Sequence, residues 1–411
     1  MNNEILTVTY ISPGWPLNNF PNGIVAYIDN LMAGFDSSVR AQILAREVIG
    51  EMLSESIIDL SQLTERKSII NKLSDRVLNK IGYQYIENLL EQGRANEASK
   101  RIIKGLELQE YSSNLIEMEE SFGLAKWVVP KTRVPVVTRL HGPWFVHGPI
   151  MQFNNDNNDK FRIKIEGEAI ILSQGVTAPS LDVLEKVREY YDVPLPDAKV
   201  IPNSVPPVVK SQQWQYKAKN KQTILMVGRF DLHKGGDLAL DAFRIIAREN
   251  KDIDFLFVGP DRGVIVEGKE YLFNQYLAAF IPEAEITSRI QFLGHCSSDK
   301  VQRLRRNSTV TIMTSRYDNF PVSLLEAMAV GSPLVGSSVG GIKEIIIDGY
   351  NGLLAEPESA DSIAECALTL LNDVELMKKL SANAIVDSKN RFSPEVVAKQ
   401  SLDFYKSVLS K

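Results

Sequence analysis

Residues 223–236 read TILMVGRFDLHKGG. An apolar run of strand length ends at Gly228, and a turn-rich loop then delivers Arg229 and Lys234 past the strand end. The pattern repeats downstream. A helix is expected from Asp237 to Asn250, followed by IDFLFVG (253–259), IQFLG (290–294), TVTIMTS (309–315), a helix near Val322 to Val330, and PLVGSS (333–338). Strands alternating with helices in this way build a doubly wound α/β sheet of parallel strands.

Upstream of residue 223 the same grammar appears in looser form. An apolar run from Ile5 to Ile11 leads into the turn-rich SPGWPLNNFPNG (12–23) and a helix with Ile24, Ile28 and Leu31 on one face. Further strand-like runs are AQILA (41–45), NLIEME (114–119), VPVVTRL (134–140) and AKVIPNSV (198–205). Residues 57–110 read differently: Ile70, Leu73, Val77, Ile81, Tyr85 and Leu89 fall three or four apart with no strand between them, so a helical insertion is expected over about 50–112. KSQQWQYKAKNKQ (210–222) is polar and aperiodic and reads as a linker. The expected organisation is therefore a Rossmann-like domain over 1–209, a linker over 210–222, a second such domain over 223–392, and an amphipathic C-terminal helix over 393–411 that packs back toward the first domain. Two sheets facing each other across a cleft would place a ligand between them.

Composition agrees with two ordinary cores. A chain of 411 residues exceeds the usual size of one domain, and 44% hydrophobic with 24% charged residues is a globular composition. A net charge of -5, with the acidic excess in the first half, argues against nucleic-acid binding and against docking on anionic lipid. No run of about 20 apolar residues offers a membrane span. The opening MNNEILTVTYISPGWP has neither a basic leader nor a cleavage site, so a cytoplasmic protein is expected. Cys296 and Cys366 are far apart and read as small core residues, outside any disulfide or zinc framework.

The charged residues suggest the chemistry. Arg229 and Lys234 at one strand end suit a diphosphate, since two fixed cations can neutralise charge developing on a phosphate leaving group. SRYDNFPVSLLEAMAVGSP (315–333) places Asp318 in a loop, Pro321 at a helix start, Glu326 inside the helix and Gly331 at its end. The free amides of that helix, around Val322 to Leu324, form an anion site, bracketed by two carboxylates that suit sugar and ribose hydroxyls. Gly340 and Gly341, before the next helix start, would let backbone approach a phosphate. The plainer readings are a turn residue for Asp318, a surface residue for Glu326 and an ordinary tight turn for the glycines.

In order and spacing, GRFDLHKGG, DNFPVSLLEAMAVGSPLV, GGIKE and DGYNGLL resemble the family-four retaining glycosyltransferases (group 1) of the GT-B fold. The first half matches more loosely, through NGIVAYIDNL, TRLHG, VTAPSLDVLEKV and VIPNSV. The resemblance implies that Arg229 and Lys234 hold the donor diphosphate, that Glu326 takes the ribose hydroxyls, and that Asp318 binds the transferred sugar in place of the family's first glutamate. His141 would contact that sugar from the other domain, unless it merely caps a buried strand. Donor contacts are expected from Asn22, Gly23, Gly228, Asn319, Phe320, Val322, Ser323, Leu325, Gly340 and Gly341. Asn22 replaces a glycine of the family pattern, and Pro321 stands where glycine is common, which removes a backbone donor and leaves the sugar open. The resemblance implies a nucleotide diphosphate sugar as donor, with UDP first and GDP or ADP as alternatives. The expected acceptor is left open among a small molecule, a glycan and a lipid-linked acceptor.

No metal or other cofactor is expected. Asp252-Ile253-Asp254 lies at the mouth of a strand, and the Asn-rich 154–159 lacks calcium-loop spacing and reads as a mobile loop at the acceptor side. Trp144 and Phe145 are either sugar-stacking or packing residues. The alternatives are a sugar-nucleotide-binding protein of the same fold without transfer activity, and a GT-B-shaped UDP-sugar epimerase, which lacks the carboxylate-x7-Glu arrangement. A dinucleotide-dependent dehydrogenase would need G-x-G-x-x-G after a strand, and no strand ends that way.

Overall fold

Leu6–Ser12 (β1) is buried along nearly its whole length, as a central parallel strand must be when helices cover both faces. The computed structural model describes residues 5–20, 22–50, 54–63, 83–150, 157–218 and 221–411. They form two units, residues 1–202 with 394–411 and residues 203–393.

In the first unit β1 is joined by Val39–Ala45 (β2), Ile57–Asp59 (β3), Leu115–Glu119 (β4), Val136–Arg139 (β5), Gly175–Ala178 (β6) and Lys199–Val200 (β7). The seven strands are parallel, in the order β3-β2-β1-β4-β5-β6-β7. Helices Gly23–Ala33 (α1), Tyr83–Leu108 (α2), Asn157–Leu172 (α3) and Leu181–Tyr191 (α4) connect them. Alternate residues of the sheet face opposite cores. Val8 and Tyr10 pack with Val25 and Tyr27 of α1 and with Phe404 and Tyr405 of the C-terminal helix, Pro394–Leu409. Ile11, Ile116 and Met118 pack with Ile102 of α2 and Ala169 of α3.

A buried carboxylate joins three of these elements. Glu117 on β4 accepts the hydroxyls of Tyr27 (2.8 Å) and Tyr405 (2.7 Å), and the Arg139 guanidinium lies 4.6 Å from the Tyr27 ring centre. Burial raises the Glu117 pKa, Arg139 partly opposing it.

Two expectations for this half need correction. Ile57–Asp59 is a strand at the sheet edge, with Ile57 opposite Ile43, inside the stretch read as wholly helical. Three residues are too few for a period of two to show beside a strong helical pattern. Tyr85 and Leu89 fall in α2, whereas Ile70, Leu73, Val77 and Ile81 lie outside the described residues. Similarly, residues 154–156 lie outside them, but Asn157–Asp159 form the first turn of α3 and are not a loop.

The second unit has Gln222–Val227 (β8), Ile253–Val258 (β9), a small antiparallel hairpin of Val264–Val266 (β10) and Lys269–Tyr271 (β11), then Ile290–Phe292 (β12), Val310–Met313 (β13), Leu334–Ser337 (β14) and Leu353–Ala355 (β15). Its six-stranded parallel sheet runs β12-β9-β8-β13-β14-β15, so the order reverses between β8 and β13. The helices used below are Gly236–Glu249 (α5), Ser298–Asn307 (α6), Val322–Val330 (α7), Ala360–Asn372 (α8) and Val374–Phe392 (α9). Ile224 and Met226 pack with Phe243 of α5 and Ala364 of α8, while Leu225 and Val258 face Val301 of α6.

Residues 210–222 are no linker between the units. Trp214 is buried in the second core, its backbone N–H donating to Val330 O and its indole N–H to Ser308 O, both at 2.8 Å. One tryptophan anchors an otherwise polar run, and the division falls instead after Pro202 and after Ser393.

Candidate active site

β8 ends at Val227, and Gly228 continues the ladder by donating to Val258 O at 2.9 Å. The loop that follows is organised by Asp231: one carboxylate oxygen accepts the Lys234 backbone N–H (2.7 Å) and the other the Arg229 Nε–H (2.6 Å). Gly235 closes the loop at φ +65, where a Cβ would stand 1.9 Å from Thr314 O, so only glycine fits. Thr314 Oγ1 donates to Gly235 O at 2.7 Å, which lays this loop against the one leaving β13. Across that contact Lys234 Nζ meets Asp318 Oδ2 at 2.5 Å. The two charges thus pair at the C-terminal ends of β8 and β13, the point of strand-order reversal where open α/β sheets bind ligands.

Further contacts brace this corner. Arg316 makes a bidentate ion pair with Asp237 on α5 (2.8 and 2.7 Å), donates to Leu232 O at 2.8 Å and, through its backbone N–H, to His233 O at 2.9 Å. Burial, then the neighbouring Lys234, lowers the His233 pKa, so its imidazole adds no charge to the corner at neutral pH. The sequence alone suggests no bracing role for Asp231, Asp237 or Arg316. Asp231 had a signal, an acid lying between two cations in one loop; the Arg316–Asp237 pair spans 79 residues and had none.

The paired glycines lie against the Asp318 loop. Gly341 N–H donates to Asp318 O (2.8 Å), and Cβ atoms would stand 2.2 Å from Asp318 O at Gly340 and 1.9 Å from Asn319 O at Gly341. The close approach they permit is to the backbone of the Asp318 loop. Asn319 is itself buried.

At the start of α7, Pro321 offers no side-chain cap. The Leu324 and Leu325 amides donate to Pro321 O at 3.1 and 3.3 Å, so the available helix-end amides narrow from Val322–Leu324 to Val322 and Ser323. The Leu325 and Phe320 side chains are core residues and cannot line a donor site: Leu325 is fully buried and Phe320 packs on Phe392, with ring centres 5.7 Å apart. Glu326 is 46% exposed and is more than a surface residue, because its Oε2 pairs with buried Arg305 of α6 at 2.6 Å.

In the first unit Asn22 caps α1, its side chain accepting the Ile24 N–H at 2.8 Å, and a Cβ on Gly23 would meet nothing within 4 Å. One turn along α1, Tyr27 meets the His141 imidazole edge-on, with ring centres 5.1 Å apart. The loop carrying His141 hangs from buried carboxylates. Glu120 accepts the His141 and Gly142 amides (2.8 and 2.6 Å), and Glu166 accepts the Trp144 and Phe122 amides (2.8 and 3.2 Å) and the Arg162 Nε–H (2.8 Å). Burial, with repulsion from Glu166, pushes the Glu120 pKa up to about 8, and burial pushes Glu119 to about 7. Burial and the adjacent Arg139 hold the His141 pKa well below its ordinary value, so the imidazole is neutral.

Trp144 and Phe145 are packed. Trp144 Nε1 donates to Asp159 (2.7 Å) under the Arg162 guanidinium, and Phe145 stacks on Tyr190 with ring centres 4.0 Å apart. Asp254 opens β9, at the end of the sheet away from the strand C-termini, and pairs with Lys221 at 2.7 Å. Among the described residues no three metal-ligating side chains cluster, and no helix is long and apolar enough to cross a membrane. Cys296 and Cys366 are half-buried free thiols at the margins of the second unit's core.

Residues 209–387 match the family described as Glycosyl transferases group 1. An uncharacterized glycosyltransferase of Methanocaldococcus jannaschii is 37% identical over 171 residues, 42% of this chain and 44% of the relative. The chain spans about half the length of the first curated relatives it matches, 44% and 59%. Among solved structures, sucrose-phosphate synthase from Thermosynechococcus elongatus superposes with a TM-score of 0.70 at 17% identity, covering 98% of this chain and 99% of that one. Anabaena HepE in complex with UDP and glucose gives 0.65 at 15% identity, covering 98% and 100%. These similarities show the α/β GT-B fold. The fold likeness runs through nearly the whole chain, and the match to the group 1 glycosyltransferase family lies within the second unit, over residues 209–387.

Proposed function

We propose that the chain is a metal-independent retaining glycosyltransferase that moves a hexosyl group from a nucleoside diphosphate sugar to an acceptor hydroxyl. The observation that carries this is the Lys234–Asp318 pair, with Arg229 beside it, at the strand-order reversal of the second unit. A diphosphate entering there exchanges one anion for another on Lys234 and adds charge beside Arg229, whose side chain is 39% exposed. Asp318, relieved of Lys234, turns to a hydroxyl of the transferred sugar. Glu326 takes the ribose hydroxyls.

In the reaction the bond from the sugar's anomeric carbon to the donor phosphate breaks and a bond from that carbon to the acceptor oxygen forms on the same face. The acceptor's proton passes to the departing phosphate oxygen. Arg229, Lys234 and the Val322 and Ser323 amides stabilise the charge that develops on that phosphate. UDP is the first donor to examine, because HepE, which shares the fold, has been crystallised with UDP.

The test compares two carboxylates in EDTA. Asp318→Asn should lower donor turnover strongly while bare nucleoside diphosphate binds as well as before or better, since a competitor for Lys234 has lost its charge. Glu326→Gln should weaken the nucleotide as well. Full turnover in Asp318→Asn, or equal loss of nucleotide affinity in both variants, would reverse these assignments.

A further inference from the structure

Arg305 is a cation almost wholly removed from water, with a side chain 4% exposed, on the helix whose Val301 packs against Leu225 and Val258 of the sheet. Its guanidinium spends two nitrogens on α7. Nη1 pairs with Glu326 Oε2 at 2.6 Å, and Nη2 donates to Ser323 O at 3.1 Å. Its Nε–H has no acceptor among the described residues. Burying a charge and leaving one of its N–H groups unmade is a costly way to pack two helices, for which an apolar side chain would serve as well.

The geometry gives that cost a use. Ser323 and Glu326 are three residues apart and share one face of α7. Helical side chains lean toward the helix N-terminus, so the Glu326 carboxylate leans over the first turn, where the Val322 and Ser323 amides begin the helix. Arg305, bound to both the first-turn carbonyl and the carboxylate, fixes the angle between them. It takes only Oε2. Oε1 has no partner among the described residues, and the side chain is 46% exposed. A carboxylate held by one oxygen, with the other presented to solvent, is arranged to accept from a vicinal diol in one orientation.

We infer that Arg305 is a positioning residue for nucleotide recognition: by locking Glu326 it sets the preference for a ribose over a 2′-deoxyribose in the nucleoside diphosphate. This rests on the assignment of Glu326 to the ribose. Without Arg305 the carboxylate rotates freely into water, and a ribose hydroxyl must immobilise it on binding.

The experiment is calorimetric titration of whichever of UDP, GDP and ADP binds the wild-type chain most tightly, alongside its 2′-deoxy counterpart. A hydrogen bond to a charged group predicts a ribo-to-deoxy affinity ratio of roughly tenfold in the wild type. Arg305→Met should bring the ratio close to one, and Arg305→Lys, which keeps the charge but not the fork, should fall between. Asp318→Asn should leave the ratio unchanged. If Arg305→Met does not fold, the Arg305→Lys ratio decides alone. A wild-type ratio retained in every folded Arg305 variant would mean that the arginine only joins two helices, and the inference fails while the Glu326 assignment stands. A ratio near one in the wild type itself would remove that assignment and the inference together.

Discussion

After β5, the loop carrying His141 is held by its backbone, with Glu120 taking two amides and Glu166 a third; after β8, the loop carrying Arg229 and Lys234 is held through charged side chains, on Asp231 and Asp318. The carboxylates of the first loop are fully buried and face no solvent, whereas Arg229 and Lys234 remain 39% and 24% exposed. A backbone cradle of the first kind fixes a neutral side chain in place and has nothing to exchange. Ion pairs of the second kind can be taken over by an incoming phosphate, at little cost because charge replaces charge. The two loops therefore differ in what each can offer: a fixed neutral side chain in the first unit and exchangeable cations in the second.

The largest expected effect lies in the exchangeable loop. Lys234→Ala should reduce donor turnover about 100-fold or more, as loss of a preorganised charge stabiliser does, and Arg229→Ala should do so less because it is the more exposed cation. Steady-state turnover of both variants checks this, and equal, undiminished rates would show that the charges are structural. Next comes Gly235→Ala, which must clear a backbone carbonyl 1.9 Å away at φ +65; on the order of 2–4 kcal/mol of stability should be lost, read from denaturant unfolding.

Glu120→Gln sharpens the other side of the comparison. An amide side chain has one acceptor oxygen for two loop amides, so about 1–3 kcal/mol of stability should go. Nucleoside diphosphate affinity should be unchanged, since this loop has no assigned contact to phosphate. A clear fall in nucleotide affinity in the folded variant would contradict that division.

The smallest effect is on pH dependence. Glu119 and Glu120 have folded-state pKa values raised from 4.5 to about 7 and about 8, so between those limits the folded chain holds protons that the unfolded chain has released. Their contribution is complete below pH 4.5 and is lost as pH rises through 8. Melting temperature should decline from pH 5 to 8.5, less steeply in Glu120→Gln, and a rise over that interval carried by these two groups would contradict the assignment.

The sequence made the second unit more legible than the first, for a physical reason. Its loops carry the charges at fixed spacing from strand ends, so VGRFDLHKGG and DNFPVSLLEAM announce both the strand and the chemistry. The partners of those charges were hidden: Asp231 sat within the quoted motif unremarked, and Arg305 lies 21 positions from Glu326 on another helix, with no local pattern to link them. A glycine pair such as Gly340-Gly341 signals close approach without saying to what, and the approach to the Asp318 and Asn319 backbone has no local pattern. In the first unit Glu117 and Glu120 sit in and just after a strand-like run where acids look like defects, and only the fold shows that the one is buried against hydroxyls and the other against amides. The three-residue β3 and the tryptophan anchor at Trp214 were lost to the stronger patterns around them.

The central claim is that the corner formed by Arg229, Lys234 and Asp318 binds a nucleoside diphosphate without a metal ion. Its most direct measurement is calorimetric titration of UDP, GDP and ADP into the wild-type chain and Lys234→Ala, with EDTA in every cell. At least one nucleotide should bind the wild type saturably in EDTA and about tenfold or more weaker to Lys234→Ala, the loss of one charge-assisted contact. Equal affinities in the two proteins, or binding that appears only when a divalent cation is restored, would contradict the account.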